Sequence, residues 1–302
     1  MLRGPFIPRS WMGACEDYTQ ADWVLVGLPY DGTTSFRPGT RFGPAAIRDA
    51  SWGLETYSPL QHAELSGVNY FDAGELEFPC GNRDAILTMI RENARDVLAA
   101  NKRWLGLGGE HLVTFPVIEA YVEKYPDLAV LHFDAHADLR DDYLGEKLSH
   151  ATVLRRVTEL IGPERLVQIG IRSGPKEEFE WMRHNGTLLE TKADIARGLQ
   201  RLSGRPVFLT IDLDVLDPSI LCGTGTPEPG GMSFSTFIEW LLPFQGLNFV
   251  GADVVELSPH YDPSGVSNVV AAKVVREVIL LGTPASLIDV PQAAMASGSA
   301  LR

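Results

Sequence analysis

The stretch Val130-Leu131-His132-Phe133-Asp134-Ala135-His136-Ala137-Asp138 decides how the chain is read. Its apolar and aromatic residues, interrupted by one histidine, predict a buried strand. At the strand's end Asp134, His136 and Asp138 follow at i, i+2 and i+4. On extended backbone that spacing turns all three side chains to one face. Two carboxylates and an imidazole aimed at one point are costly to desolvate unless a cation sits among them, and a metal ion is the simplest such cation. Two other segments are candidates to meet it: Gly108-Gly109-Glu110-His111 upstream and Thr210-Ile211-Asp212-Leu213-Asp214 downstream.

Outward from this stretch, strand and helix alternate. Apolar runs at 23–28, 68–72, 103–107, 130–133, 166–171, 187–189, 207–211 and 249–255 predict strands. Three- and four-residue apolar spacing predicts helices over 82–101, 114–124, 149–161, 195–202, 233–242 and 266–281, with shorter or more charged ones over 45–50 and 176–184. The strands are continuous apolar runs rather than alternating ones, which is the mark of a parallel sheet covered on both faces. No linker or composition shift divides residues 1–302. The expected fold is therefore one three-layer α/β domain, with about eight mostly parallel strands and helices on both faces. Residues 1–20 read as an irregular arm and 291–302 as a mobile tail. His111, Asp134, Asp212 and Glu256 each fall just past the C-terminal end of a predicted strand, the edge where open parallel sheets bind ligands.

Composition narrows the function. The 26 Lys and Arg against 39 Asp and Glu give a net charge of −13, spread along the chain, which argues against nucleic acid. It suits acidic solubility and is compatible with a cationic substrate. Three separated cysteines suggest a reducing compartment without a disulfide framework. No apolar run spans a membrane and no signal-peptide core opens the chain, so a cytoplasmic location is expected.

The candidate metal ligands are His111, Asp134, His136, Asp138, Asp212 and Asp214. A structural zinc site would favour cysteine and need four ligands. Six oxygen-rich ligands suit two harder divalent ions, Mn²⁺ ahead of Zn²⁺, whose charge would offset the four carboxylates. Alone, Asp-x-His-x-Asp reads equally as a calcium-type loop or a solvated turn, and Asp212-x-Asp214 as an Asx-capped turn. Their recurrence at successive strand ends carries the inference. His62, His132, His184 and His260 read as surface or core histidines.

Gly108-Gly109-Glu110-His111, Phe133-Asp134-Ala135-His136-Ala137-Asp138, and Thr210-Ile211-Asp212-Leu213-Asp214 through Asp217-Pro218 resemble the three metal signatures of the ureohydrolase family, the arginases, agmatinases and their relatives. The resemblance runs from about Trp23 to Asp289. It implies an arginase-like sheet carrying two Mn²⁺ per subunit, and hydrolysis of a guanidinium to urea and an amine by hydroxide held between the metals. It assigns His111, Asp134, Asp138 and Asp212 to one metal and Asp134, His136, Asp212 and Asp214 to the other, with Asp134 and Asp212 bridging. His150 matches the family's proton-shuttle histidine; read locally it is a helix N-terminal residue beside Ser149. Glu256 matches the carboxylate that grips the guanidinium; read locally it is an acidic strand-end residue. Thr226 falls in the matching substrate loop. A homo-oligomer, trimer or hexamer, is also implied.

The segment 139–148 lacks the Ser/Asn pattern with which arginases read an amino acid's α-groups, and is similar to that of bacterial agmatinases. Its local excess of acid, with Asp141 as the candidate contact, favours a small cationic guanidino substrate with a distal amine. Agmatine, giving putrescine and urea, is the expected substrate. Guanidinobutyrate or guanidinopropionate is the alternative, with Arg37, Arg41 or Arg140 pairing the carboxylate; arginine comes after these. Two rivals are an inactive family member serving as a binding or regulatory protein, and a one-zinc deacetylase. The first would have lost a ligand, His150 or Glu256; the second does not need six ligands.

Overall fold

A computed structural model describes residues 2–3, 5–7 and 10–283. The strands are β1 (Phe6–Ile7), β2 (Trp23–Leu28), β3 (Tyr57–Ser58), β4 (Ala63–Glu64), β5 (Tyr70–Leu76), β6 (Arg103–Gly108), β7 (Ala129–Phe133), β8 (Leu166–Ile169), β9 (Leu188–Leu189), β10 (Pro206–Asp212) and β11 (Asn248–Val255). The helices are α1 (Gly43–Ser51), α2 (Arg83–Ala99), α3 (Thr114–Lys124), α4 (Val153–Ile161), α5 (Lys176–Asn185), α6 (Ile195–Leu202), α7 (Phe234–Leu241) and α8 (Val266–Leu281). Nine strands form one sheet in the order β1-β5-β2-β6-β11-β10-β7-β8-β9. All its pairs are parallel except β1 with β5.

The continuous apolar runs are explained by the two cores. Trp23 and Leu25 face one core while Val24, Val26 and Leu28 face the other, and Leu131 and Phe133 oppose Val130 in the same way. Alternate residues leave opposite faces of a strand, and here both faces are covered. Ile47 of α1, Leu202 of α6, Phe237 of α7 and Val275 of α8 close one side. Ile90 of α2, Val117 of α3, Val157 of α4 and Met182 of α5 close the other. The result is the expected three-layer α/β domain. Helix ends follow local chemistry: Pro44 lies in the first turn of α1, the Asn82 side chain accepts from Ala85 N at 3.1 Å to start α2, and Gly186, left-handed at φ 64°, ends α5.

Three expectations are corrected. The arm is not wholly irregular: Phe6 and Ile7 add an antiparallel strand to the edge at β5, and Trp11 is fully buried. The strand expected at 68–72 runs over Tyr70–Leu76, and β8 stops at Ile169, where Gly170 turns the chain at φ 96°. A small hairpin of β3 and β4 stands outside the sheet. The tail at 291–302 lies outside the described residues. Among the described residues no helix is long and apolar enough to cross a membrane.

Candidate metal centre

The four central strands β6, β11, β10 and β7 lie side by side, and each delivers polar side chains from its C-terminal end. His111 follows β6 after Gly109, whose N–H donates to Leu28 O and whose carbonyl accepts from Glu256 N, both at 2.8 Å. This ties the ends of β2, β6 and β11 together. Asp134, His136 and Asp138 follow β7. Asp212 ends β10, and its Oδ1 accepts from Asp214 N at 2.9 Å, turning Asp214 back over the strand. Asp138 and Glu256 both have positive φ, 53° and 69°. Non-glycine residues are held there only against local strain, which is common at functional sites.

The six expected ligands converge. His111 Nδ1 lies 3.2 Å from Asp134 Oδ2, 3.2 Å from Asp138 Oδ2 and 3.5 Å from Asp212 Oδ2. His136 Nδ1 lies 3.5 Å from Asp134 Oδ1 and 3.0 Å from Asp214 Oδ2. Asp134 thus turns one oxygen to each imidazole. All four carboxylates are buried.

Two observations show that this donor set fits cations. His111 Nδ1 is fully buried without a hydrogen-bond partner, although it faces three carboxylates, and its Nε2 is already engaged by Thr210 Oγ1 at 2.9 Å. The cluster also draws positive charge. Burial works against a charged ring at both histidines, yet the carboxylates outweigh it: His136 is pushed up to about 12 and His111 well above its ordinary value. Asp212, by burial and by its neighbours Asp214 and Asp134, is pushed well above the usual carboxylate range. Divalent ions at the same place would relieve these carboxylates directly.

His132 was not expected here. It sits two residues before Asp134 on the same face of β7, and its Nε2 meets Asp134 Oδ2 at 2.8 Å. Thr187 Oγ1 donates to Gln168 Oε1, which orients that amide so that its Nε2 faces His132 Nδ1 at 3.3 Å. His132 Nδ1 is then an acceptor and Nε2–H a donor, so the ring holds Asp134 and has no lone pair left to ligate. Its sequence signal was a lone histidine in an apolar strand, in register with the ligand face.

A cavity of about 230 Å³ opens over the cluster, lined by His136, Asp138, Asp212, His150, Thr226 and Glu256 among others. A larger one of about 620 Å³ shares Tyr143 with it but holds none of the six candidate ligands. Glu256 is buried, and its Oε1 accepts from His111 N at 2.7 Å. Burial and nearby Glu110 push its carboxyl well up. Thr226 lines the wall, and its hydroxyl donates to Asp214 Oδ2 at 3.1 Å. His150 begins a short turn leading into α4, stabilised by a capping box between Ser149 and Thr152. Burial pushes its ring down, so it stays neutral more readily than a free histidine.

Asp141 is not brought to this cavity. It is exposed and paired with Arg156 at 2.7 Å. Besides Asp138, Asp212 and Glu256, the cavity is lined by the carboxylate of Glu178, from α5. Its Oε1 accepts from Leu139 N at 2.9 Å, and burial, then Asp138, push it up to about 7. Of the three arginines considered, Arg140 lines the cavity. Arg41 pairs with Asp31, and Arg37 lies over the ring of Tyr261 at 4.0 Å.

Residues 21–281 match the family model described as the arginase family. An agmatinase of Bacillus anthracis is 49% identical over 269 residues, covering 87% of this chain and 92% of that protein. An agmatinase of Bacillus subtilis is 47% identical over 277 residues, covering 90% and 96%. Among solved structures, proclavaminate amidino hydrolase from Streptomyces clavuligerus superposes with a TM-score of 0.82 at 31% identity, covering 91% of this chain and 97% of that one. The chain belongs to the arginase family. Within it, the relatives mark the chain as an amidinohydrolase.

Proposed function

We propose that the protein hydrolyses agmatine to putrescine and urea, using two Mn²⁺ ions. One would be held by His111, Asp134, Asp138 and Asp212, the other by Asp134, His136, Asp212 and Asp214. When bound, such ions polarise the guanidinium carbon's surroundings and acidify water enough for it to add at neutral pH. The observation that carries the choice of substrate is that the cavity holds two carboxylates outside the ligand set, Glu256 beside His111 and Glu178 on α5. Agmatine is a dication, with a guanidinium at one end and an ammonium at the other. Glu256 binds and orients the guanidinium, and Glu178 receives the ammonium. Holding both ends fixes the carbon under attack, which is where much of the rate is gained. His150 passes a proton to the leaving amine, since an amide anion would be too basic to depart. Thr226 steadies Asp214 and closes the wall beside the guanidinium. That the Bacillus anthracis and Bacillus subtilis relatives are named agmatinases supports this reading.

Arg140 on the cavity wall favours a second reading, a guanidino acid such as guanidinobutyrate, whose carboxylate it would pair. We further propose a cytoplasmic homo-oligomer, trimer or hexamer, to be checked by light scattering. The deciding experiment is urea release from Mn²⁺-loaded protein with agmatine, arginine, guanidinobutyrate and guanidinopropionate side by side, with metal counted per chain. Agmatine is expected to dominate with two metals bound, and Glu178→Gln to raise its KM about tenfold. A guanidino acid turning over faster, with the loss moving to an Arg140 variant, supports the second reading. No urea from any of them with two metals bound means a different guanidine or an inactive family member.

A further inference from the structure

Glu110 is fully buried beside His111, and the functional reading so far does not use it. Its Oε2 accepts from Thr33 N at 2.8 Å and from Thr34 Oγ1 at 3.3 Å, and its Oε1 accepts from the Thr33 hydroxyl at 2.5 Å. A threonine hydroxyl has one proton and two lone pairs. With Glu110 in its carboxylate form, Thr33's proton goes to it and the Thr33 oxygen can only accept elsewhere. Two groups face it: His150 N, which donates at 3.0 Å, and the ring nitrogen His150 Nδ1 at 3.3 Å. The inventory closes only if Nδ1 carries the proton.

The other side of the ring accommodates this form. Tyr143 O–H donates to Ser35 Oγ at 3.3 Å, so the Ser35 proton is free to point at His150 Nε2, also at 3.3 Å. Tyr143 packs edge-on against the imidazole, with centroids 5.6 Å apart and an interplanar angle of 89°. The ring is therefore gripped in orientation as well as in protonation pattern.

The geometry points to Glu110 and Thr33 as a positioning pair that holds His150 in the Nδ1–H form, with Nε2 as the one nitrogen that takes and gives the proton in the cavity. The inference rests on the proposed role of His150. In each turnover Nε2 would accept a proton, from solvent by way of Ser35 and Tyr143 or from the attacking water, and pass it to the leaving nitrogen. The ring then returns to its starting form with no net change. Without Thr33 the ring is free to flip or to take the Nε2–H form, in which no lone pair faces the substrate. A tautomer held by a buried partner is worth much of a general acid–base contribution, about 10²- to 10⁴-fold.

The test is a set of Mn²⁺-loaded variants read by kcat, KM, metals per chain and thermal midpoint. Thr33→Val keeps the side-chain shape and removes the hydroxyl. It is expected to lower kcat by about 30-fold or more with KM and metal content unchanged, and Thr33→Ser to restore kcat to within about threefold. In a His150→Asn background, Thr33→Val is expected to cost nothing further, because both changes remove the same function. Full kcat in Thr33→Val, a Thr33→Ser as slow as Thr33→Val, or losses that multiply with His150→Asn would each overturn the inference. Metal loss in Thr33→Val with Thr33→Ser intact would also overturn it, by placing Thr33 in support of the ligands instead. If His150→Asn itself turns over normally, the role of His150 has failed; if only Thr33→Val does, the positioning pair has failed and that role stands.

Discussion

Replacing Gly109 by alanine tests how the site is hung from the sheet. The added Cβ would stand 1.9 Å from Tyr30 O and 2.7 Å from Tyr30 C and N. A carbon and an oxygen approach to about 3.3 Å at closest comfort, so the two backbones must part by more than about 1 Å. Neither is free to do so. Gly109 N donates to Leu28 O at 2.8 Å, Glu110 N to Tyr30 O at 2.7 Å, and Gly109 O accepts from Glu256 N at 2.8 Å. Overpacking of about 1–3 kcal/mol and the weakening of two backbone bonds at about 1 kcal/mol each give a loss of roughly 3–5 kcal/mol. Any shift also carries His111 and the Thr33 loop away from their partners, and a misplacement of about 1 Å costs on the order of 100-fold in rate. Urea denaturation, metal content and agmatine turnover of Gly109→Ala measure both effects. Gly53→Ala is the control, since its Cβ would meet nothing closer than Ala50 O at 3.5 Å. A Gly109→Ala protein within about 0.5 kcal/mol of the parent and at full turnover refutes the argument.

Asp134→Ala removes the carboxylate that faces both His111 and His136, so both metals should be lost on elemental analysis; a variant that keeps two would end its assignment as the shared ligand. Arg48 is buried and bonds Asp72 with two nitrogens at 2.8 Å. Arg48→Met should cost about 3–5 kcal/mol because Asp72 is left buried without its cation, held only by Trp11 N and Gly74 N, and the Arg48→Met/Asp72→Leu double variant should recover part of it; equal losses would contradict this. Glu178 gives a pH signature in metal-depleted protein. Burial raises its carboxyl from 4.5 to about 7, so the folded state keeps a proton that the unfolded chain has lost across that window. Its contribution is present below about pH 4.5 and is lost as pH rises towards 7, on the order of 2 kcal/mol after allowing for partial exposure. Glu178→Gln should flatten that part of the melting-temperature profile, and an unchanged slope would show that Glu178 does not titrate there.

The sheet was legible because its strands are buried on both faces, which leaves runs such as Val24–Leu28 and Trp104–Leu107 with no polar break. The candidate ligand cluster was legible because metal-type donors recur just past successive strand ends; the extended spacing was not itself the reason, since β7 stops at Phe133 and Asp138 turns left-handed at φ 53°. Direction was what failed at Asp141. A local excess of acid does not say which way each side chain points, and Asp141 finds Arg156 on α4. Glu178 was hidden for the converse reason. It lies in Lys176-Glu177-Glu178, which reads as a solvated helix start, and only the fold brings it over Leu139 N. β1 was invisible because two residues carry no period, and its pairing with β5 is purely tertiary.

The order of the central strands bears on how the chain is made. β6 and β7 are successive in sequence, joined by α3, yet β11 and β10 lie between them in the sheet. The strands that deliver His111 and Asp134 are thus synthesised early and separated by strands synthesised last, although the two side chains meet at 3.2 Å. While the chain grows, β6 and β7 must either leave a gap two strands wide or pair with each other and later separate. The candidate ligand set therefore cannot assemble on a ribosome-bound chain until β11 has emerged at Val255. Metal capture is then a report that the middle of the sheet has closed, and the long-range pairings that close it predict slow folding.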